Sequence, residues 1–345
     1  MKIAELLEKL IRSGMDDGAF PSAAAAVGMG DHLLAESCAG RLSLPDGPYT
    51  DFNTRYDMAS VTKILAPTML ALLAVERGAL TLIDTVGRFF DAPEDKRDIS
   101  VLQLMTHTGG FTPHFDLRAE AKNPADALTA ILRHPLAGTP GDMPRYSCMG
   151  YIVLGKMLEK VYGMPLDEAA RAHVFAPLNM AHTSYLPEGG NIAATETDPE
   201  TGVALAGVVH DENARFLGGV SANAGVFSDL RDMETFAIML AQGGGGFLSP
   251  ATLRTALRNR TPGCDQHRGL GFQLGGTWGC FLGELTPPEA FGHTGFTGTS
   301  LTVDPGTGFW AVLLTNRVHP SRENLKILRF RRAFHNALYA AAVGE

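Results

Sequence analysis

The chain has 345 residues, a formal net charge of −8, and 45 % hydrophobic against 19 % charged residues. That balance belongs to a folded globular protein and excludes a disordered, low-complexity or fibrous chain, and the length excludes a mini-protein stapled by disulfides. The 29 Lys and Arg are spread along the chain rather than clustered, so no surface for nucleic-acid phosphate is expected. The densest basic run, Lys326, Arg329, Arg331 and Arg332, reads as the solvated face of a C-terminal helix.

Ile3, Leu6, Leu7, Leu10 and Ile11 recur at helical spacing and predict an amphipathic first helix. Glu5 and Glu8 interrupt any signal-peptide core there. Residues 22–30 and 32–40 read as two strands around a turn at Gly30 and Asp31. The longest uncharged apolar stretch, 64–75, has 12 residues and contains Pro67, whereas a membrane span needs about 18 or more. Cys38, Cys148, Cys264 and Cys280 form no C-x-x-C pair, which suits reduced thiols and a cytoplasmic protein with no membrane partner.

Helical patterns dominate the middle of the chain. A long apolar helix is predicted over 60–78, closed by Gly78. Ser100 caps a short helix that stops at Gly109 and Gly110, and Asn123 with Pro124 opens another. An amphipathic helix over 149–162 stops at Gly163. Residues 186–219 read as a long connection. Helices return over 229–242, capped by Ser228, and over 251–259, capped by Ser249. The glycines 243–246 read as a flexible loop, because no Lys-Ser or Lys-Thr follows them. Strands are expected over 269–275, 298–303 and 308–315, and a last helix over 321–342.

Strands at both ends and helices between them predict an α+β fold: an antiparallel sheet flanked by terminal helices, with an inserted helical region. The expected division is 1–59 plus 215–345 for the sheet and 60–214 for the helical insert. A ligand cleft is expected at their junction.

Three segments bear chemistry. Ser60-Val61-Thr62-Lys63 opens the long helix, and residues three apart share a helical face, so an amine lies one turn from a hydroxyl. An amine there can take the hydroxyl proton, and the positive helix N-terminus favours an alkoxide; the same tetrapeptide also reads as a capping serine followed by a lysine. Tyr146, at a loop–helix junction, is a general base beside such a pair or else a surface aromatic. Phe291-Gly292-His293-Thr294-Gly295-Phe296 lets a ligand approach the backbone, or forms a glycine-rich hairpin. His210 and Asp211 read as loop-bonding residues rather than as an oriented base or metal pair, and His107 reads as a loop residue after a helix. No His-Glu-x-x-His zinc motif and no Gly-x-Ser-x-Gly elbow occurs.

In order and separation these segments resemble the serine β-lactamase and penicillin-binding-protein superfamily, in its class C-like branch with related esterases. The resemblance runs over about 20–340 and extends through 104–110 and Gly155. It implies the β-lactamase/transpeptidase-like fold, with Ser60 as the nucleophile of an acyl-enzyme, Lys63 as its proton relay and Tyr146 as general base. His293, Thr294, Gly295, Phe296 and Cys148 would line the substrate cleft, and the backbone N–H groups of Ser60 and Phe296 would form the oxyanion hole. Cys148 stands where the family carries asparagine, and His293 where it often carries lysine. Read as a mostly buried small hydrophobe, Cys148 lacks the amide that helps hold an amide substrate, and a histidine is only partly charged near neutral pH. No metal or organic cofactor is implied. The expected function is a serine hydrolase acting on small-molecule esters, amides or β-lactams. A D-amino-acid peptidase and a non-catalytic binding protein of the same fold are the alternatives.

Overall fold

The computed structural model describes residues 1–198 and 201–344; Pro199 and Glu200, inside the connection expected over 186–219, and Glu345 lie outside the described residues. The chain starts with helix α1 (Ile3–Asp16), then strands β1 (Ser22–Met29), β2 (His32–Gly40) and the short β3 (Tyr56–Asp57). The helical stretch includes α2 (Thr62–Leu65), α3 (Pro67–Glu76), α4 (Val101–Met105) and α5 (Cys148–Tyr162). After β4 (Ser184–Tyr185) and β5 (Val226–Ser228) come α6 (Leu230–Ala241), β6 (Gln273–Leu274), β7 (Phe291–Thr294), β8 (Ser300–Val303), β9 (Phe309–Thr315) and α7 (Ile327–Val343).

Six strands form one antiparallel sheet in the order β2-β1-β9-β8-β7-β6, so its first and last strands in sequence lie side by side inside it. Alternation along β1 explains the layering, because successive side chains point to opposite faces. Ala23, Ala25 and Val27 share one core with Leu7 and Ile11 of α1 and Phe334 and Leu338 of α7. Ala24 and Ala26, with Trp310, Val312 and Leu314, face the helical region. The fold is the expected α+β arrangement of an antiparallel sheet with terminal helices on one face. A second, three-stranded sheet in the order β3-β5-β4 had no sequence signal, since its strands are two or three residues long.

Several elements differ from the expectations. Pro67 lacks the backbone N–H a continuous helix needs, so the predicted 60–78 helix divides into a 3-10 turn at Ala59–Val61, α2 and α3. Counted as one run, Ala59–Glu76 is long and apolar enough to cross a membrane, but 83 % of it is buried inside the protein. Ser228 is committed to pairing with Tyr56, and Asp229 instead caps α6 by accepting from the Asp232 N–H. Within 269–275 the Leu270 and Gly271 N–H groups bond to Ala256 and Met105 carbonyls, which leaves only β6 in the sheet. The last helix starts at Ile327 because Arg322 is drawn to Glu196 and Glu212, holding its segment as a loop. Arg331 is buried rather than solvated, and its Nη2 donates to the Gly295 and Thr299 carbonyls.

Candidate active site

Three chain segments are stitched together around Ser60. The buried Asp57 carboxylate accepts from the Ala59 N–H at 2.7 Å and from the His210 N–H at 2.7 Å. Ala59 is held at φ 44°, a left-handed conformation that costs a residue with a Cβ on the order of 1–2 kcal/mol. The bond to Asp57 holds that turn and thereby sets where Ser60 emerges. Thr297 and Thr299, from the turn after β7, donate their hydroxyls to the carbonyls of Asp57 and Met58 at 2.7 and 3.2 Å. A Cβ on Gly295 would lie 2.6 Å from the Met58 carbonyl oxygen and 2.1 Å from Thr299 Oγ1, so this contact requires glycine. Arg331 from one side and Arg317, whose Nε donates to the Phe296 carbonyl at 2.6 Å, hold the turn in place.

Lys63 lies fully buried one turn beyond Ser60, with Nζ 3.1 Å from Ser60 Oγ and 2.8 Å from the Asn223 carbonyl oxygen. Nζ is also 3.6 Å from Cys148 Sγ and 4.9 Å from the centroid of the Tyr146 ring. Burial works against its ammonium form, but the negative charge that Cys148 and Tyr146 can carry beside it raises its pKa on balance.

Tyr146 is presented by the loop leading into α5. Ser147 caps that helix by accepting from the Gly150 N–H, donates to the Thr112 carbonyl, and its own N–H reaches His107 Nδ1 at 3.1 Å. His107 is therefore a site neighbour, packed 4.4 Å from the Tyr146 ring between centroids, and burial lowers its pKa well below the ordinary histidine value. The Tyr146 hydroxyl is buried without a partner among the described residues, as are His107 Nε2, Asn223 Nδ2 and His293 Nε2. Unpaired buried polar atoms are costly and few in folded proteins. Such a concentration at one seam suits a place where a polar ligand completes the bonding.

The structure brings Ser60, Lys63, Tyr146 and Cys148 together, with the His293 ring 6.0 Å from that of Tyr146. Thr294, Gly295 and Phe296 follow on β7 and its turn; Phe296 is 48 % exposed at the rim, beneath Arg317 and beside His210. Cys148 turns its sulfur toward Lys63, and burial raises its thiol pKa against the pull of that lysine. His293 donates from Nδ1 to the Thr294 carbonyl at 2.8 Å, and burial followed by Lys63 and Arg268 pushes its pKa down to about 3. It is thus uncharged at neutral pH, where the sequence suggested partial charge. His210 and Asp211 do not act as a pair: His210 Nε2 contacts Glu196, and Asp211 caps the Glu212–Phe216 helix. Among the described residues the one cluster with metal-ligand spacing is His182, Asp229 and Asp232, which includes none of these residues. Asp57, Asn223 and Arg268 carry no local motif and escaped the sequence reading.

Neutral burial of histidines has a stability consequence. His293 and His335 are both pushed to about 3, chiefly by burial, whereas an unfolded histidine titrates near 6.5. Between those values the unfolded chain binds more protons than the folded one, so stability falls as pH falls from about 6.5 toward 3, by at most about 1.4 kcal/mol per pH unit for each histidine. Denaturant titrations from pH 7 to pH 4 should show that slope, and His335→Asn should reduce it. An unchanged slope in the variant would remove His335 from the effect.

The sequence model of the family described as Beta-lactamase matches residues 7–335. A Salmonella typhimurium protein named "Putative D-alanyl-D-alanine carboxypeptidase" is 30 % identical over 365 residues, spanning 93 % of this chain and 84 % of that one. Among solved structures, "EstCE1, a hydrolase with promiscuous acyltransferase activity" superposes with TM-score 0.78 at 22 % identity, covering 98 % of both chains. The octameric penicillin-binding protein homologue from Pyrococcus abyssi gives TM-score 0.77 at 19 % identity, covering 98 % of this chain and 76 % of that one.

Proposed function

Because the chain belongs to the Beta-lactamase family, a family of hydrolases acting on small molecules, we propose that it cleaves small-molecule esters or amides through an acyl-enzyme on Ser60. The observation that carries this reading is Ser60 Oγ held 3.1 Å from Lys63 Nζ, with the ring of Tyr146, whose hydroxyl is buried without a partner among the described residues, 4.9 Å from the same nitrogen. Tyr146 takes the Ser60 proton as Oγ attacks the carbonyl, and Lys63 relays it to the leaving group. The backbone N–H groups of Ser60 and Phe296 receive the developing oxyanion, the second held in place by the bonded 295–299 turn. The chemistry is divided between residues of 1–59 with 215–345 and residues of 60–214, the division we propose for the two units.

Esters fit this cleft better than amides or carboxylate-bearing peptides. His293 offers an uncharged ring where a substrate carboxylate would want a cation, and Cys148 offers a thiol where an amide substrate would want a carboxamide. The D-amino-acid peptidase reading is supported by the Salmonella relative's name. A cytoplasmic location belongs to the same proposal and is supported by four free thiols, since paired cysteines persist in oxidising compartments.

Incubation with a fluorophosphonate, followed by intact mass and peptide mapping, tests the nucleophile. One adduct per chain, on Ser60, is expected; an adduct mapping elsewhere overturns the acyl-enzyme assignment. Parallel rates on p-nitrophenyl butyrate, nitrocefin and a D-Ala-D-Ala peptide rank the substrate classes, and a peptide rate far above the ester rate would favour the peptidase.

A further inference from the structure

Arg268 is 5 % exposed and no described ion pair joins it to a carboxylate. Its Nη2 donates to Gln266 Oε1 at 2.6 Å, while Nε is buried without a partner. The guanidinium carbon stands 5.4 Å from the centroid of the Tyr146 ring. A cation taken out of water without an anion is expensive, and burial alone lowers the Arg268 pKa. The site must therefore place negative charge near Arg268 in some state of its cycle.

The groups around Tyr146 narrow the choice of anion. Lys63 from α2 and Arg268 bring positive charge. His107, from the loop after α4, and His293 on β7 pack against the ring and are kept neutral by burial. On α5, Tyr151 is pushed up to about 12 and the Cys148 thiol is raised, in both cases first by burial. Asp211 acts on Lys63 and Cys148 from a distance, with its carboxylate engaged at the Ala214 N–H. Tyr146 itself remains as the group that can carry the compensating charge.

We propose that Arg268 is a positioning residue that, together with Lys63, holds the Tyr146 phenolate. The proposal rests on Tyr146 being the base for Ser60. In acylation the Ser60 Oγ–H proton passes to the phenolate, the Oγ–acyl bond forms, and the carbonyl electron pair moves to oxygen. On collapse the ester C–O bond breaks, the departing alkoxide takes a proton from the Lys63 ammonium, and Lys63 takes the proton held on Tyr146, restoring the phenolate beside Arg268.

The test is the pH dependence of kcat/KM on the neutral ester p-nitrophenyl butyrate for wild type, Arg268→Gln and Arg268→Lys, with Tm and fluorophosphonate labelling as checks on folding. Arg268→Gln should lower kcat/KM at pH 7 by up to about 10-fold and move the acid limb upward by about one unit, since an adjacent opposite charge shifts an ionisation by roughly 1–3 units. The deficit should then shrink at high pH. Arg268→Lys should keep activity within about threefold with the limb near its wild-type place. A deficit equal at every pH, or a limb unmoved in the glutamine variant, overturns the proposal. So does a loss confined to raised KM on a succinylated ester, which would make Arg268 a substrate-carboxylate contact. If the glutamine variant does not fold, the lysine variant decides: it supports the proposal when its limb stays in place, and overturns it when activity is lost at all pH. Full activity in Tyr146→Phe would instead remove the base reading itself, whatever Arg268 does.

Discussion

Ser60→Ala is expected to lower turnover of p-nitrophenyl butyrate by about four orders of magnitude, since a missing nucleophile ends the covalent route and leaves only the residual contribution of binding and the oxyanion donors. The change removes one hydroxyl at a half-buried position whose described side-chain partner is Lys63. Ala59, Asp57 and the 295–299 turn keep their own bonds, so Tm should stay within a few degrees. Burst-free progress curves and the absence of a fluorophosphonate adduct should accompany the loss. Wild-type rates in this variant would show that another group attacks the ester.

Lys63→Met separates catalysis from stability most sharply. The side chain is fully buried, and Nζ donates to Ser60 Oγ and the Asn223 carbonyl while facing Cys148 and Tyr146. Removing the relay should cost about 10³ in kcat, within the 10²–10⁴ that a positioned acid–base group supplies. Methionine has a similar volume, and replacing a buried charge with an apolar side chain is often neutral or stabilising by about 1–4 kcal/mol. The Asn223 carbonyl left without its donor opposes that gain by about 1–3 kcal/mol. Tm should therefore remain unchanged or rise while activity collapses. Activity within tenfold of wild type would take Lys63 out of the proton path, and a collapse of Tm with activity would make it a structural residue.

The local motifs were legible because each depends on short-range geometry. Ser60 and Lys63 are one helical turn apart, and the structure sets their reactive atoms in contact. Gly163 ends α5 at φ 67°, Ser100 forms its capping box with Gln103, and Ser249 caps its helix, each as backbone bonding rules require. Where local rules competed with distant partners, the sequence misled. Ser228 looked like a cap but is claimed by Tyr56, and Arg331 looked like a solvated face but is claimed by the carbonyls of Gly295 and Thr299.

By itself, then, the sequence determined the α+β class, the pairing of β1 with β2, the helical apolar character of the segment after Ser60 and the Ser60–Lys63 spacing, because periodicity, capping and turn chemistry act over a few residues. Tertiary structure decided which distant groups surround that pair. Asp57 tied to His210, Asn223 receiving Lys63, His107 packed on Tyr146 and Arg268 set beside Tyr146 all arise from segments tens to hundreds of residues apart. It also decided charge: a histidine's protonation follows from burial and neighbouring cations, and burial first, then Lys63 and Arg268, keeps His293 neutral.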